Sequence, residues 1–360
     1  MNCSVVGLTV ASLLSNSPLL TKVNSVRQVK FSFFFSPFLF AHPTDSLSVA
    51  SSSFSHGLSN AINIDSVNTI TAHQEYSESV TVRDCFFLNI RNTKSMGGAI
   101  RMAARSSVLV ILESKFVNCS TTKLETWTWR NNCGGGGFAA AVDHIEMNRN
   151  ILQHCCIPIS TMATGPAQYS YCSSESHVNS TVYLSNGHGP ELDLFAFDSG
   201  QLAGRCLNST LNHCDGGWLF GYVSRVPSCS ISFSTVCSCT GKSIIGSDSI
   251  PNYTMEYINV VNNTVGSNGL FQGSPVTAAT NYFVTHGYFK DNTADTLSGC
   301  TVTLTECICD RSFSGFKTVG GEFNVKDVET YAQDCMGTLE FTLISSSDPL
   351  FVLLLVYMLL

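Results

Sequence analysis

Charge is scarce in this chain. Asp, Glu, Lys and Arg make up 12% of its 360 residues, about half the usual share. Acids outnumber bases by 26 to 19, for a formal net charge of −7. No block of Lys and Arg occurs, which argues against nucleic acid as a partner. Long amphipathic helices are missing too: they need Ala, Leu, Glu and Lys at a 3.6-residue spacing, and almost no stretch shows it. Cys-x-x-Cys, the strong zinc spacing, does not occur among the sixteen cysteines.

What the chain does have is Ser, Thr, scattered Gly, and short runs of Val, Ile, Thr, Tyr and Phe divided by Asn, Gly and Ser. Such runs read as strands, and they continue from about Ser66 to about Phe341. Asp84–Ser120 organises them. It holds Phe86-Phe87-Leu88-Asn89, then Gly97-Gly98-Ala99-Ile100, an apolar run from Val108 to Leu112, and a second Phe-and-Asn group, Phe116-Val117-Asn118-Cys119.

Worn copies follow. Glycines that precede apolar runs sit at Gly98, Gly136, Gly165, Gly189, Gly217, Gly241, Gly269, Gly299 and Gly321, with a mean step from Gly136 onward of roughly 26 residues. The longer Gly98–Gly136 step implies an inserted loop around Trp127, Trp129 and Arg130. The segments ending in Cys237-Ser238-Cys239 and Cys307-Ile308-Cys309 read as two copies of one unit. Short strands in units of this size, without helix, predict an all-β fold: a right-handed parallel β-helix, or solenoid, of about ten coils, on the order of 50 Å long. Asn and Cys would then stack in ladders from coil to coil, and Gly98 would turn a corner at positive φ.

The pair Gly97-Gly98-Ala99-Ile100 and Phe86-Phe87-Leu88-Asn89 resembles the GGA(I/L/V) and FxxN repeats of polymorphic outer-membrane-protein-like surface proteins. The chain as a whole is similar to protozoan surface proteins with a pectate-lyase-like β-helix. Phe116-Val117-Asn118 departs from that pattern, with its Phe and Asn one residue closer. The resemblance implies an extracellular rod used in adhesion or display, without catalysis.

The ends read differently. Residues 1–45 form a targeting segment: Lys22, Arg27 and Lys30 precede an apolar run from Phe31 to Phe40, followed by Ala41-His42-Pro43, the parts of a secretory signal. Residues 46–65 form a Ser-rich linker, and 66–341 the β-helix. The tail, 342–360, ends in the apolar run Leu350–Leu360, shorter than the roughly 20 residues of a spanning helix. It reads either as a truncated membrane segment offering attachment or as a buried strand cap.

One enzymatic motif stands out. Asn186-Gly187-His188-Gly189 is similar to the Gly-His-Gly turn of pectin-degrading hydrolases, which pair it with clustered aspartates because glycoside hydrolysis needs a carboxylic acid and a carboxylate. The nearest acids are Glu191, Asp193 and Asp198, and the Asp-Asp, Asn-Thr-Asp and Arg-x-Lys partners are missing. The expectation is therefore no enzyme: no catalytic, cofactor-binding or metal residues, and no cofactor. The function expected is a secreted or cell-surface protein for adhesion, display or structure, meeting host or matrix proteins or glycans. The alternative is a β-helical polysaccharide lyase or glycoside hydrolase. Cysteines at strand ends, such as Cys85, Cys119, Cys155, Cys214 and Cys239, fit disulfides or stacked buried thiols. The adjacent Cys155 and Cys156 must face opposite sides of a strand. Asn-x-Ser/Thr triplets begin at Asn2, Asn118, Asn179, Asn208, Asn252 and Asn262, as in a glycoprotein, though composition alone supplies as many.

Overall fold

The computed structural model describes residues 4–6, 9–11, 24–41, 46–65, 79–127, 130–157, 164–172, 174–186, 193–199, 203–207, 209–212, 214–222, 229–247, 252–266, 269–273, 280–293, 297–310 and 317–319. Among these residues every regular element is a β-strand. The strands pair in parallel, apart from one antiparallel hairpin, Glu125–Trp127 with Arg130–Cys133, in the expected insertion. The parallel sheets curl back on themselves.

Each strand pairs with one a single pass of the chain later. The short strands show it best: Lys30–Ser32, Ser53–Ser55, Phe86–Leu88, Lys115–Val117, Ile151–Gln153, Val182–Leu184 and Thr210–Asn212 pair in that order. The series runs on through the ends of Cys229–Cys237 and Asn252–Val261 to Tyr288–Lys290 and Ile308–Cys309. Strand side chains alternate between faces, so the middle residue of each short strand points inward. Phe31, Phe54, Phe87, Phe116, Leu152, Tyr183, Leu211, Val236, Val260 and Phe289 are all buried. The rings of Phe54 and Phe87 stack at 5.3 Å, and those of Phe87 and Phe116 at 4.8 Å. Each such pair contributes about 0.5–1.5 kcal/mol beyond the apolar area it buries.

What repeats most faithfully is the backbone on either side of the short strand. Residues at positive φ flank it, as at Asp84 and Asn89, Glu113 and Asn118, Arg149 and His154, Ser180 and Ser185, Phe233 and Ser238, Tyr257 and Asn262, and His286 and Asp291. Asn, Asp and His tolerate this left-handed region better than most residues. The residue after each turns inward, which makes two interior corner columns. One runs through Ser52, Cys85, Ser114, Asn150, Thr181, Ser209 and Ser234, and the other through Cys119, Cys155, Asn186, Cys214, Cys239, Asn263 and Asn292, all buried.

These columns solve a hydrogen-bonding problem. The left-handed turn swings the next N–H out of the strand ladder, and a buried N–H without a partner costs about 1–3 kcal/mol. The corner side chain one pass later supplies the acceptor. Val29 N–H donates to Ser52 Oγ (3.1 Å), Cys85 N–H to Ser114 Oγ (3.2 Å) and Ser114 N–H to Asn150 Oδ1 (2.9 Å). In the second column Cys155 N–H donates to Asn186 Oδ1 (2.7 Å), Cys239 N–H to Asn263 Oδ1 (3.0 Å) and Asn263 N–H to Asn292 Oδ1 (3.2 Å). Small polar side chains and cysteine recur at corners because they fit and can accept.

Several expectations change. Residues 46–65 are not a linker: Leu47–Ala50, Ser53–Ser55 and Ile62–Asp65 pair on both sides within the same sheet. Their serines alternate with the buried Val49 and Phe54. The stack also extends into 1–45, where Ser25–Arg27, Lys30–Ser32 and Leu39–Ala41 pair with those strands, and the signal-like run supplies the core residues Phe31, Phe34 and Phe38. Phe116-Val117-Asn118 is a full copy: Phe116 pairs with Phe87, not Phe86, and Asn118 then matches Asn89. The two Cys-x-Cys segments are not equivalent. Cys309 follows Phe289, Val260 and Val236 in the ladder, so it holds an inward strand position rather than the corner of Cys239.

The glycine ladder holds only in part. Gly98 N–H donates to Gly135 O, but Gly216 rather than Gly217 pairs with Gly241, which in turn pairs with Val265. The positive φ belongs to Gly97 (74°). Gly98 is required for closeness instead: a Cβ there would lie 1.8 Å from the backbone oxygen of Gly136. The tail, 342–360, lies outside the described residues.

Candidate functional site

A cavity lined by Ile231, Met255, Ile258 and Val260 measures about 10 Å³, at most the space of one water. The outward features are the positive-φ columns and the strand faces between them.

At one corner Phe233 stacks on Tyr257 (5.0 Å, 5°) and Tyr257 on His286 (4.6 Å, 6°), and His286 Nε2 lies 2.7 Å from Glu306 Oε2. Farther back in the same column, Glu113 bridges Arg149 (2.8 Å) and the neighbouring Arg83 (3.3 Å). These are exposed ion pairs, each contributing well under about 1 kcal/mol. At the second corner Phe33 stacks on His56 (5.0 Å), His56 Nε2 meets Asn89 Nδ2 (3.2 Å), and Asn118 Nδ2 donates to Asn89 Oδ1 (2.6 Å). Burial holds the His56 imidazole below its ordinary pKa, so it stays neutral and can accept that amide hydrogen.

Between the columns, period-2 alternation sends Asn252, Thr254 and Glu256 outward beside Asn281, Phe283 and Thr285, and these beside Thr301, Thr303 and Thr305. Phe283, at 46% exposure, is the most apolar point of this hydroxyl-rich face.

Asn186 is the part of the Gly-His-Gly motif that can be placed. It is a buried corner residue, whose Nδ2 donates to Leu152 O (2.7 Å) while Oδ1 takes the Cys155 N–H. Gly187, His188, Gly189 and Glu191 lie outside the described residues, and Asp193 and Asp198 belong to strand Asp193–Ser199, whose side chains are likewise outside them. Among the described residues no group of three or more His, Cys, Asp or Glu is placed to hold a metal.

Cys85, Cys119, Cys155, Cys156, Cys237, Cys239, Cys307 and Cys309 are free thiols. Cys155 is buried in its column while Cys156 faces away, as the strand alternation requires. Burial pushes the Cys85 thiol up to about 12 and raises Cys155 well above its ordinary value, with neighbouring Cys119 adding to the latter. Cys239 is raised first by its contact with the Cys214 thiol and then by burial. The thiolate is the nucleophile and metal ligand, so these protonated sulfurs serve as small corner groups. Sequence reasoning finds the strand-end cysteines of the corner columns but misses their serines and the two-column arrangement, because those marks are single residues. The signal that could find them is a polar residue, a small or Cys residue, three strand residues, then the same pair again.

No protein-family description, curated protein or solved structure matches this chain.

Proposed function

We propose that the chain is a right-handed parallel β-helix acting as a non-catalytic secreted or cell-surface rod, in adhesion, display or structure. Right-handedness follows from strand twist, which gives nearly all parallel crossovers within one sheet that hand. One observation carries the functional reading. The interior repeats the same few residue types at fixed positions, while the outward residues of the first corner column, among those described, are dissimilar: Asp84, Glu113, Arg149, Ser180, Phe233, Tyr257, His286. A backbone that holds dissimilar side chains in a stacked row is a display scaffold, at about 4.8 Å per step. Solenoids use such extended lateral surfaces for binding, and the Thr face around Phe283 offers the flat, hydroxyl-rich surface that a glycan or matrix protein would meet.

Protease treatment of intact cells tests the location. Loss of the full-length band without permeabilisation is expected; cleavage only after permeabilisation would reject the surface reading. Reducing-sugar release from pectin or related polymers, abolished by His188→Ala, would favour the hydrolase instead.

A further inference from the structure

Four described asparagines head Asn-x-Ser/Thr triplets: Asn118, Asn179, Asn252 and Asn262. The sequence ranks none above the others, but the fold does. Asn118 and Asn262 occupy one backbone position, the positive-φ residue that follows a three-residue strand stretch, with φ of 52° and 55°. Both are exposed. The next residue in each triplet, Cys119 or Asn263, turns into the interior corner column and is buried, so the asparagine projects from a convex edge. Beside it stand equivalent corner residues of the neighbouring passes, Asn89 for Asn118 and Ser238 for Asn262.

The amide hydrogens fit as well. Asn118 Nδ2 donates to Asn89 Oδ1 (2.6 Å) and Asn262 Nδ2 to Ser238 Oγ (3.2 Å). An amide nitrogen carries two hydrogens, so each can exchange the other for a sugar carbon and keep its lateral bond. Asn179 differs: it is half-buried, Ser180 Oγ donates to its Oδ1 (3.1 Å), and Thr181 of its triplet is wholly buried. Asn252 lies on the flat strand face, its Oδ1 accepting from Asn281 Nδ2 (3.2 Å), where a glycan would lie over adjacent strands.

We infer that Asn118 and Asn262 are N-glycosylation sites, acceptors for an oligosaccharide from a lipid-linked pyrophosphate donor. Nδ2 forms a bond to the sugar anomeric carbon, that carbon's bond to the pyrophosphate oxygen breaks, the lipid pyrophosphate leaves with the electron pair, and Nδ2 releases one proton. The inference rests on the secreted reading. It places both glycans on one edge, five strand spacings or about 24 Å apart, and leaves the Thr face around Phe283 open to a partner.

The test uses the full chain behind a heterologous cleavable secretory signal, with a reporter triplet appended, in a glycosylating eukaryotic cell. Enzymatic deglycosylation in heavy-oxygen water, followed by peptide mass spectrometry, should show conversion at Asn118 and Asn262 and none at Asn179. Asn118→Gln and Asn262→Gln should each remove one glycan's mobility shift. Ser120→Ala and Thr264→Ala, which leave the corner asparagine in place, should do the same. A modified reporter with unmodified Asn118 and Asn262, or full occupancy at Asn179 in folded protein, would overturn the assignment. The protein from its native cell separates the two readings: acceptors modified behind the added signal, in a protein otherwise found unmodified inside the cell, would sustain the sites and reject secretion.

Discussion

Asn150 closes both halves of the backbone gap left at Ser114. Its Oδ1 accepts the Ser114 N–H at 2.9 Å, and its Nδ2 donates to Ile111 O at 2.7 Å. Asn150 is wholly buried, so no water can replace either bond. Asn150→Ala should strand a donor and an acceptor and lower stability by about 2–4 kcal/mol. Asn118→Ala, at an exposed corner, should cost less than about 1 kcal/mol. Urea unfolding of the two variants checks the difference, and equal midpoints would reject the corner-column account.

Ser52 and Gly98 should both resist substitution, for different reasons. Ser52 Oγ accepts the Val29 N–H and donates to Ala50 O (2.8 Å), so Ser52→Val should cost about 1–3 kcal/mol. Gly98→Val forces its backbone away from Gly136 O, 1.8 Å from any Cβ, and a β-branched side chain has little freedom to adapt. It should cost at least as much and loosen adjacent passes. Thermal melts of both variants provide the measurement; an unchanged melt for either would remove that residue's assigned role.

Core and face can be separated with two phenylalanines. Phe87 is fully buried between Phe54 and Phe116, and Phe87→Ala should cost about 3–5 kcal/mol. Phe283 is 46% exposed, so Phe283→Ala should leave stability within about 0.5 kcal/mol while weakening contact with any partner of the Thr face. Chemical denaturation reads the first effect and binding to isolated cell-surface or matrix fractions the second.

Two serines should be better removed. Ser170 and Ser176 are fully buried, and their hydroxyls have no protein partner among the described residues. They face inward where the preceding pass has Ala140 and Ile145. A buried hydroxyl without a hydrogen bond is unfavourable, so Ser170→Ala and Ser176→Ala should each be neutral or stabilising by up to about 1 kcal/mol. A loss above that size in urea unfolding would mean the hydroxyls are bonded.

The thiols imply a pH dependence at the alkaline end. The folded chain holds the Cys85 proton up to about 12, against an ordinary value of 9.0. The unfolded chain releases it at the lower value, so above about pH 9 the unfolded state binds fewer protons. Stability present below that pH should fall as pH rises toward 12. Melts across this interval, with the decline reduced in Cys85→Ser, check the sign. Alkylation of Cys85, Cys119 and Cys155 at neutral pH should require denaturant.

Strand class is legible in the chain without any structure. Runs such as Thr301-Val302-Thr303-Leu304-Thr305 alternate by two, and alternation is a local property that each segment carries alone. The parallel stack follows from the repeat of short strands without helices. Register is a different matter, because it depends on which residues meet one pass apart, and along the short-strand series alone the pass varies from 20 residues (Phe289 to Cys309) to 36 (Phe116 to Leu152). A one-residue slip exchanges inside for outside, which is why Phe86 is easily mistaken for the partner of Phe116 and two Cys-x-Cys segments for copies. The serines of 46–65 look like a linker until Val49 and Phe54 are seen to bury against neighbouring passes. Positive φ at Asp84, Asn118 or Tyr257 leaves no more than a faint mark in composition, since those residues adopt it only where stacking on both sides holds the turn. The convex edge bearing Asn118 and Asn262, and the face around Phe283, exist only once non-local pairing has set every pass in line.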